Sequence, residues 1–189
     1  MTEKATSLSH PIYLDWLFDN DSPLQGNVGL TIAPGKVCPG ASVFWERDLD
    51  TDLNELRRAG ITGVACLLET GEMESMGVAD LPGKVSQAGM DFFHFPVVDG
   101  GAPDSLEETH TFVSRLADHL KTGARFALHC RAGLGRTGTI AACLLLNLGL
   151  CKKADEAIEW VRKKRSRSAV ETSFQEAFVD DYLNFLRQK

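Results

Sequence analysis

The chain predicts a single-domain α/β fold, a mixed central sheet flanked by helices, and three observations carry that expectation. Apolar runs of strand length alternate with amphipathic helical stretches, the order that builds sheets covered by helices. One such run, Phe126–Leu128, passes through a tight glycine-bearing loop into the apolar stretch Thr139–Leu146, so strand, loop and helix follow without a linker. Finally, 189 residues with 43% hydrophobic and 24% charged content suit one globular domain with a substantial core.

Taken in order, residues 1 to about 11 are polar and expected to fray. Ile12–Phe18 is rich in aromatics and reads as part of an arm, residues 1–27, packed on a domain spanning 28–189, with Asp19-Asn-Asp-Ser-Pro23 as a turn cluster. Val28–Ile32 predicts a strand ended by Pro34-Gly35, and a second short strand near Ser42–Phe44 is expected to pair with it. Asp48–Ala59 has acidic residues early and Arg57-Arg58 late, as a helix dipole favours, and Gly60 closes it. Ile61–Leu68 is a continuous apolar run, hence a buried strand. Met73–Ala88 predicts a helical region broken at Pro82-Gly83, and Asp91–Val98 a further strand. Ser105 is a fitting N-cap for a helix to Lys121, with Phe112, Leu116 and Leu120 at helical spacing. Two more helices are expected over Lys152–Lys164 and Glu171–Leu186, the last with Phe174 and Phe178 on its apolar side.

Bulk properties narrow the function. A net charge of −6 and a pI near 5.4 argue against nucleic acid or an anionic membrane as the main partner. Five cysteines at irregular spacing, with no CxxC pair, point to neither a disulfide framework nor a zinc site, and no metal or other cofactor is expected. Met1–Ser7 lacks the apolar core of a signal peptide, and Thr139–Leu146 falls far short of the ~20 residues of a membrane span. The expectation is a cytoplasmic, monomeric domain in a reducing compartment.

The chemistry concentrates in Arg125–Leu150. Five residues separate Cys130 from Arg136, and Gly133 and Gly135 lie between them. Wrapping an oxyanion takes a row of backbone N–H groups turned to one centre, which glycines permit, and a helix N-terminus adds free N–H groups and a positive dipole end. Arg131, Ala132, Gly133, Leu134 and Gly135 would supply that cradle, and the planar fork of Arg136 would grip two phosphate oxygens at once. The same positive field favours Cys130 as a thiolate nucleophile. Expelling an alcohol then takes a carboxylic acid on a neighbouring loop. Asp99, directly after a predicted strand, is the candidate and Asp104 the reserve. Glu69 and Glu72 follow the Ile61–Leu68 strand, where either carboxylate would be placed to orient Arg136.

His129-Cys-Arg-Ala-Gly-Leu-Gly-Arg-Thr137 resembles the His-Cys-x5-Arg-Ser/Thr signature of the cysteine-dependent protein tyrosine phosphatases. Pro96-Val-Val-Asp99-Gly-Gly-Ala-Pro-Asp104, Ala141–Leu146 and Ala169–Gln175 extend the likeness over Val28–Leu186, to the kinase-associated (cyclin-dependent kinase inhibitor 3) group of dual-specificity phosphatases. The resemblance implies that group's fold and a phosphoprotein substrate, a kinase being one candidate. It also implies roles: Cys130 nucleophile, Asp99 general acid, Arg136 phosphate clamp, Thr137 a hydroxyl that steadies the thiolate, and His129 a ring that holds the loop. Glu171 stands where many tyrosine phosphatases place a glutamine that orients the hydrolytic water, and Gln175, one turn on, is a second candidate for that task. Leu134 replaces a lysine common in members acting on inositol lipids, and no Lys-Asn-Arg-Tyr loop deepens the pocket. The substrates expected are therefore phosphotyrosine and phosphoserine or phosphothreonine. The competing readings are a catalytically weak phosphate-binding module, an inositol-lipid phosphatase, and another thiolate chemistry such as arsenate reduction. Cys66 would be a resolving thiol only if it were not inert packing, and Arg162–Arg167 reads as a basic helix end ahead of a docking patch.

Overall fold

The computed structural model describes residues 3–19 and 22–189. Its early elements are β1 (Lys4–Ala5), β2 (Asp15–Trp16), β3 (Asn27–Thr31), β4 (Val37–Pro39) and β5 (Phe44–Glu46). Then come α1 (Leu49–Arg58), β6 (Gly63–Cys66), α2 (Thr70–Ser75), α3 (Leu81–Gln87) and β7 (Asp91–His94). The chain finishes with α4 (Leu106–Lys121), β8 (Arg125–His129), α5 (Gly135–Asn147), α6 (Ala154–Lys164) and α7 (Ser173–Gln188).

Every residue of β6 is buried, so this strand has to be covered on both faces. It lies between β8 and β7, parallel to both. β3 continues the parallel set beside β8, and β2 closes the edge antiparallel, giving the order β2-β3-β8-β6-β7 and the expected mixed sheet. Alternation along β6 sorts the two cores. Val64 and Cys66 pack with Leu53, Leu56, Met73 and Val85 of α1–α3, whereas Ala65 packs with Val113, Ile140, Val161 and Val179 of α4–α7. Among the described residues no helix is long and apolar enough to cross a membrane.

Local expectations are corrected at several points. The start is not frayed from residue 4 onward: β1 pairs parallel with β5, and Ala5 and Ser7 are buried. Asp15–Trp16 forms the sheet edge, and Leu17 and Phe18 enter the core; of the turn cluster that follows, Asn20 and Asp21 lie outside the described residues. The strand near residue 44 pairs with β1 and β4 in a separate three-stranded sheet, not with β3. The helical region breaks at Gly77, which has a φ of +71°, while Pro82 sits in the first turn of α3, where its missing N–H costs nothing. Phe174 is 77% exposed; Phe178 and Tyr182 take the buried side of α7 instead.

A buried ion pair braces the connection between β3 and α1. Arg47 Nε and Nη2 each lie 2.8 Å from a carboxylate oxygen of Asp52, which also accepts from Gly35 N–H at 2.8 Å. Both side chains are almost fully buried.

Candidate active site

Parallel strands end at one edge of a sheet, so the loops leaving β6, β7 and β8 share that edge. Each contributes one charged group. The loop after β8 runs from Cys130 to Leu134 and enters α5 at Gly135. Cys130 is 3% exposed, and its Sγ accepts from Gly133 N–H at 3.3 Å. Gly133 has a φ of +70°, and a Cβ there would stand 2.1 Å from the Thr31 carbonyl oxygen, so only glycine fits. The amides of Arg131, Ala132 and Leu134 have no hydrogen-bond acceptor among the described residues, which leaves them available to an oxyanion.

Arg136, in the first turn of α5, is buried and held from two sides. Glu72 grips it in a bidentate pair, Nη1 to Oε2 at 2.6 Å and Nη2 to Oε1 at 2.9 Å. Nη1 also donates to the Val97 carbonyl at 2.9 Å. Glu72 is fixed in turn because its Oε2 accepts from Glu69 N–H at 3.0 Å, in the first turn of α2. Burial works against ionisation of Glu72, but the bonds from Arg136 and the Glu69 N–H together outweigh it and hold the carboxyl below the usual range. Of the two glutamates following β6, Glu72 is therefore the one on the guanidinium. The Asp99 carboxylate, on the loop after β7, stands 2.8 Å from Arg136 Nη2 and is 61% exposed. Asp104 is exposed next to the Ser105 cap of α4 and makes no bond to the Cys130 loop among the described residues.

Two residues adjoining Cys130 differ in what the structure gives them. His129 is fully buried, and its Nδ1 lies 3.2 Å from the Cys130 carbonyl. Desolvation pushes its pKa down to about 4, so the ring is neutral and its Nδ1–H donates. Thr137 Oγ1 is buried without a hydrogen-bond partner, so the bond to Cys130 Sγ that the resemblance implied is not formed here. The hydroxyl lies in the closed first turn of α5, whose other threonine, Thr139, bonds back to the Gly135 carbonyl.

The water-orienting candidates also separate. Gln175 is fully buried and spends both ends of its amide structurally: Oε1 accepts from Glu171 N–H at 2.8 Å and Nε2 donates to the Gly101 carbonyl at 2.9 Å. It ties the Asp99 loop to the start of α7, and its second N–H and second oxygen lone pair stay uncommitted above Gly135. Glu171 is exposed, with Oε2 2.4 Å from where a Cβ on Gly135 would be, so its carboxylate overhangs the N-terminus of α5. The residue before it, Val170, adopts a φ of 56°, a costly conformation for a β-branched side chain. Arg162 holds that kink through the Ala169 and Val170 carbonyls at 3.1 and 3.2 Å.

Sequence reasoning missed two cations. Arg165, read as a basic helix end, instead clasps the loop: Nε donates to the Gly133 carbonyl at 2.9 Å and Nη2 to that of Ala132 at 3.0 Å. Its Nη1 reaches Tyr13 Oη at 2.8 Å and Asp15 at 2.6 Å, so one guanidinium joins the loop to the N-terminal arm. Lys36 donates to the Arg131 carbonyl at 3.0 Å and lies 4.5 Å from the centroid of the Trp45 ring. Only the Lys after Pro34-Gly35, and charge recurring at the end of α6, could have drawn notice. Cys66 lies beside His129 in the sheet register, and burial pushes its thiol up to about 12, against service as a resolving thiol.

This geometry agrees with what the chain is similar to. The family model described as cyclin-dependent kinase inhibitor 3 matches residues 3–158. The rat protein named cyclin-dependent kinase inhibitor 3 is 31% identical over 180 residues, covering 95% of this chain and 82% of that one. Its human counterpart is 30% identical over 172 residues, 91% of this chain and 79% of that one. Among solved structures, a kinase-associated phosphatase with its catalytic cysteine replaced by serine superposes with a TM-score of 0.82 at 28% identity, covering 95% of this chain and 98% of that one.

Proposed function

The chain belongs to the cyclin-dependent kinase inhibitor 3 family, and from that premise we propose that it hydrolyses phosphomonoesters on proteins through a cysteinyl-phosphate intermediate. One observation carries the reading: a cysteine, a fixed guanidinium and a solvent-exposed carboxylate meet at a single loop whose Arg131, Ala132 and Leu134 amides have no acceptor among the described residues.

In this mechanism the substrate phosphate takes the loop amides and Arg136, displacing the Asp99 carboxylate from Nη2. Glu72 and the Val97 carbonyl keep the guanidinium oriented throughout, so no reorganisation accompanies the reaction. The freed, solvent-exposed Asp99 carboxylate takes up a proton; the Cys130 thiolate then attacks phosphorus, the P–O ester bond breaks, and the leaving oxygen takes that proton from Asp99. Water then attacks the phosphocysteine, returning a proton to Asp99, and inorganic phosphate leaves with the thiolate restored. Glu171, exposed above the start of α5, is our candidate for holding that water; Gln175, whose amide lies over the same Gly135, also positions the acid loop. His129, neutral and donating to the Cys130 carbonyl, fixes the strand-to-loop turn.

The substrates we propose are phosphotyrosine and phosphothreonine segments of a phosphoprotein, a kinase first among them given the names its relatives carry. The expected result is vanadate-sensitive hydrolysis of p-nitrophenyl phosphate and of matched phosphotyrosine and phosphothreonine peptides, abolished in Cys130→Ser. Asp99→Ala should lower kcat by about 10²–10⁴-fold while retaining binding. Turnover that survives Cys130→Ser, or an unchanged kcat in Asp99→Ala, overturns the mechanism.

A further inference from the structure

A groove of about 720 Å³ opens between the loop residues Arg131, Ala132 and Leu134 and the turn joining β4 to β5. Tyr13 and Trp45 give it aromatic walls, and none of its lining residues is an aspartate or glutamate. Of its three cations, Arg165 is neutralised by Asp15 at 2.6 Å, and Arg131 turns toward the Pro39 carbonyl at 3.2 Å. Lys36 differs from both. It is 3% exposed, its direct partners are one carbonyl and one π-face with the Cys38 and Cys130 thiols nearby, and no carboxylate lies within ion-pair distance among the described residues.

A buried ammonium with so little compensation is costly, since one carbonyl and an aromatic face replace only part of its hydration. Protein interiors normally pair such a charge. Desolvation accordingly pushes Lys36 down to about 8; Cys38 and Cys130 oppose the shift, while the nearby Arg47 and Arg131 add to it. An arriving anion would reverse that penalty.

We propose that Lys36 and Arg131 form an anion subsite that receives an acidic side chain of the substrate, carboxylate or phosphate, flanking the residue whose phosphate occupies the Cys130 loop. The proposal rests on the phosphatase reading above and deepens it. An extended peptide fits the groove better than an inositol headgroup does, because Ile32, Val43 and Leu134 line it together with the two aromatic rings. Arg131 joins the subsite to the loop directly: its carbonyl accepts from Lys36, and its backbone is part of the phosphate cradle.

The test uses the full chain and phosphopeptides in which glutamate or glutamine is scanned through three positions on either side of the phosphoresidue. Glutamate at one or two positions should raise kcat/KM about tenfold over glutamine, mainly through KM, and that ratio should fall toward one in Lys36→Met and recover in part in Lys36→Arg. A ratio near one at every position in the native chain overturns the subsite, whatever the variants do. So does a ratio that persists in a folded Lys36→Met. If Lys36→Met does not fold, Arg131→Gln carries the same comparison. Failure of the phosphatase reading looks different: neither p-nitrophenyl phosphate nor any peptide turns over. Peptide binding to Cys130→Ser then decides, with tighter glutamate peptides supporting the subsite and equal affinities overturning it. A Lys36-dependent preference for inositol bisphosphate over monophosphate, with no effect of peptide glutamate, overturns the peptide assignment.

Discussion

Arg136 is defined by its neighbours as much as by its own charge. The cysteine and arginine were legible because their spacing and the glycines between them are local. Glu72 was legible as one of two glutamates, since both follow the same strand. Lys36 and Arg165 were not, because they meet the loop from 95 and about 30 positions away in sequence and touch only its carbonyls. No side-chain pattern announces a backbone acceptor. His129 carries a prediction at this scale. Burial holds its pKa near 4 in the fold against 6.5 when unperturbed. Below pH 6.5 the unfolded chain therefore takes up a proton that the folded chain refuses. Stability should fall as pH drops from about 6.5 to about 4, by on the order of 3 kcal/mol. Denaturant midpoints across that range, compared with His129→Gln, check it: the variant should lose most of the slope. A midpoint in the native chain that stays flat over this range rules it out.

At the level of elements, the Arg47–Asp52 pair braces the whole segment from β3 to α1, which carries β4 and β5. Asp52 neutralises a guanidinium that has almost no access to water, and it also caps the Gly35 amide. Asp52→Ala strands that cation, so unfolding free energy should drop by about 3–5 kcal/mol, whereas replacing both partners with apolar residues should cost less. Urea denaturation of the single and double variants measures the difference. Elements with a capping residue were well placed from sequence: Asp48 accepts from Thr51 N–H and Ser105 from Glu108 N–H, as side chains of that type do before a helix. The Pro82 break was misplaced because proline ends one helix as readily as it begins another. β1 and β2 have two residues each, too few for an alternation to register, and their pairing with distant strands is what makes them strands at all.

Across the whole molecule, strand order gathers three loop segments at one sheet edge, which the alternation of strands and helices had implied without fixing which strands are neighbours. The N-terminal arm takes part in this: β2 closes the sheet, and Asp15 and Tyr13 hold the guanidinium that clasps the loop. Removing residues 1–18 should therefore lower the melting temperature and reduce kcat on p-nitrophenyl phosphate by at least tenfold, the loop having lost its clasp; unaltered turnover would show the arm to be dispensable. The partners of Arg136 bear on folding as well. They come from the loops after β6 and β7, while Arg136 itself follows β8, so no part of the sheet assembled alone can present the finished cradle. Simple oxyanions then recognise only the fully folded chain, and vanadate or tungstate in the growth or refolding medium should act as a chemical chaperone, rescuing destabilised variants in proportion to how much of the cradle they fill.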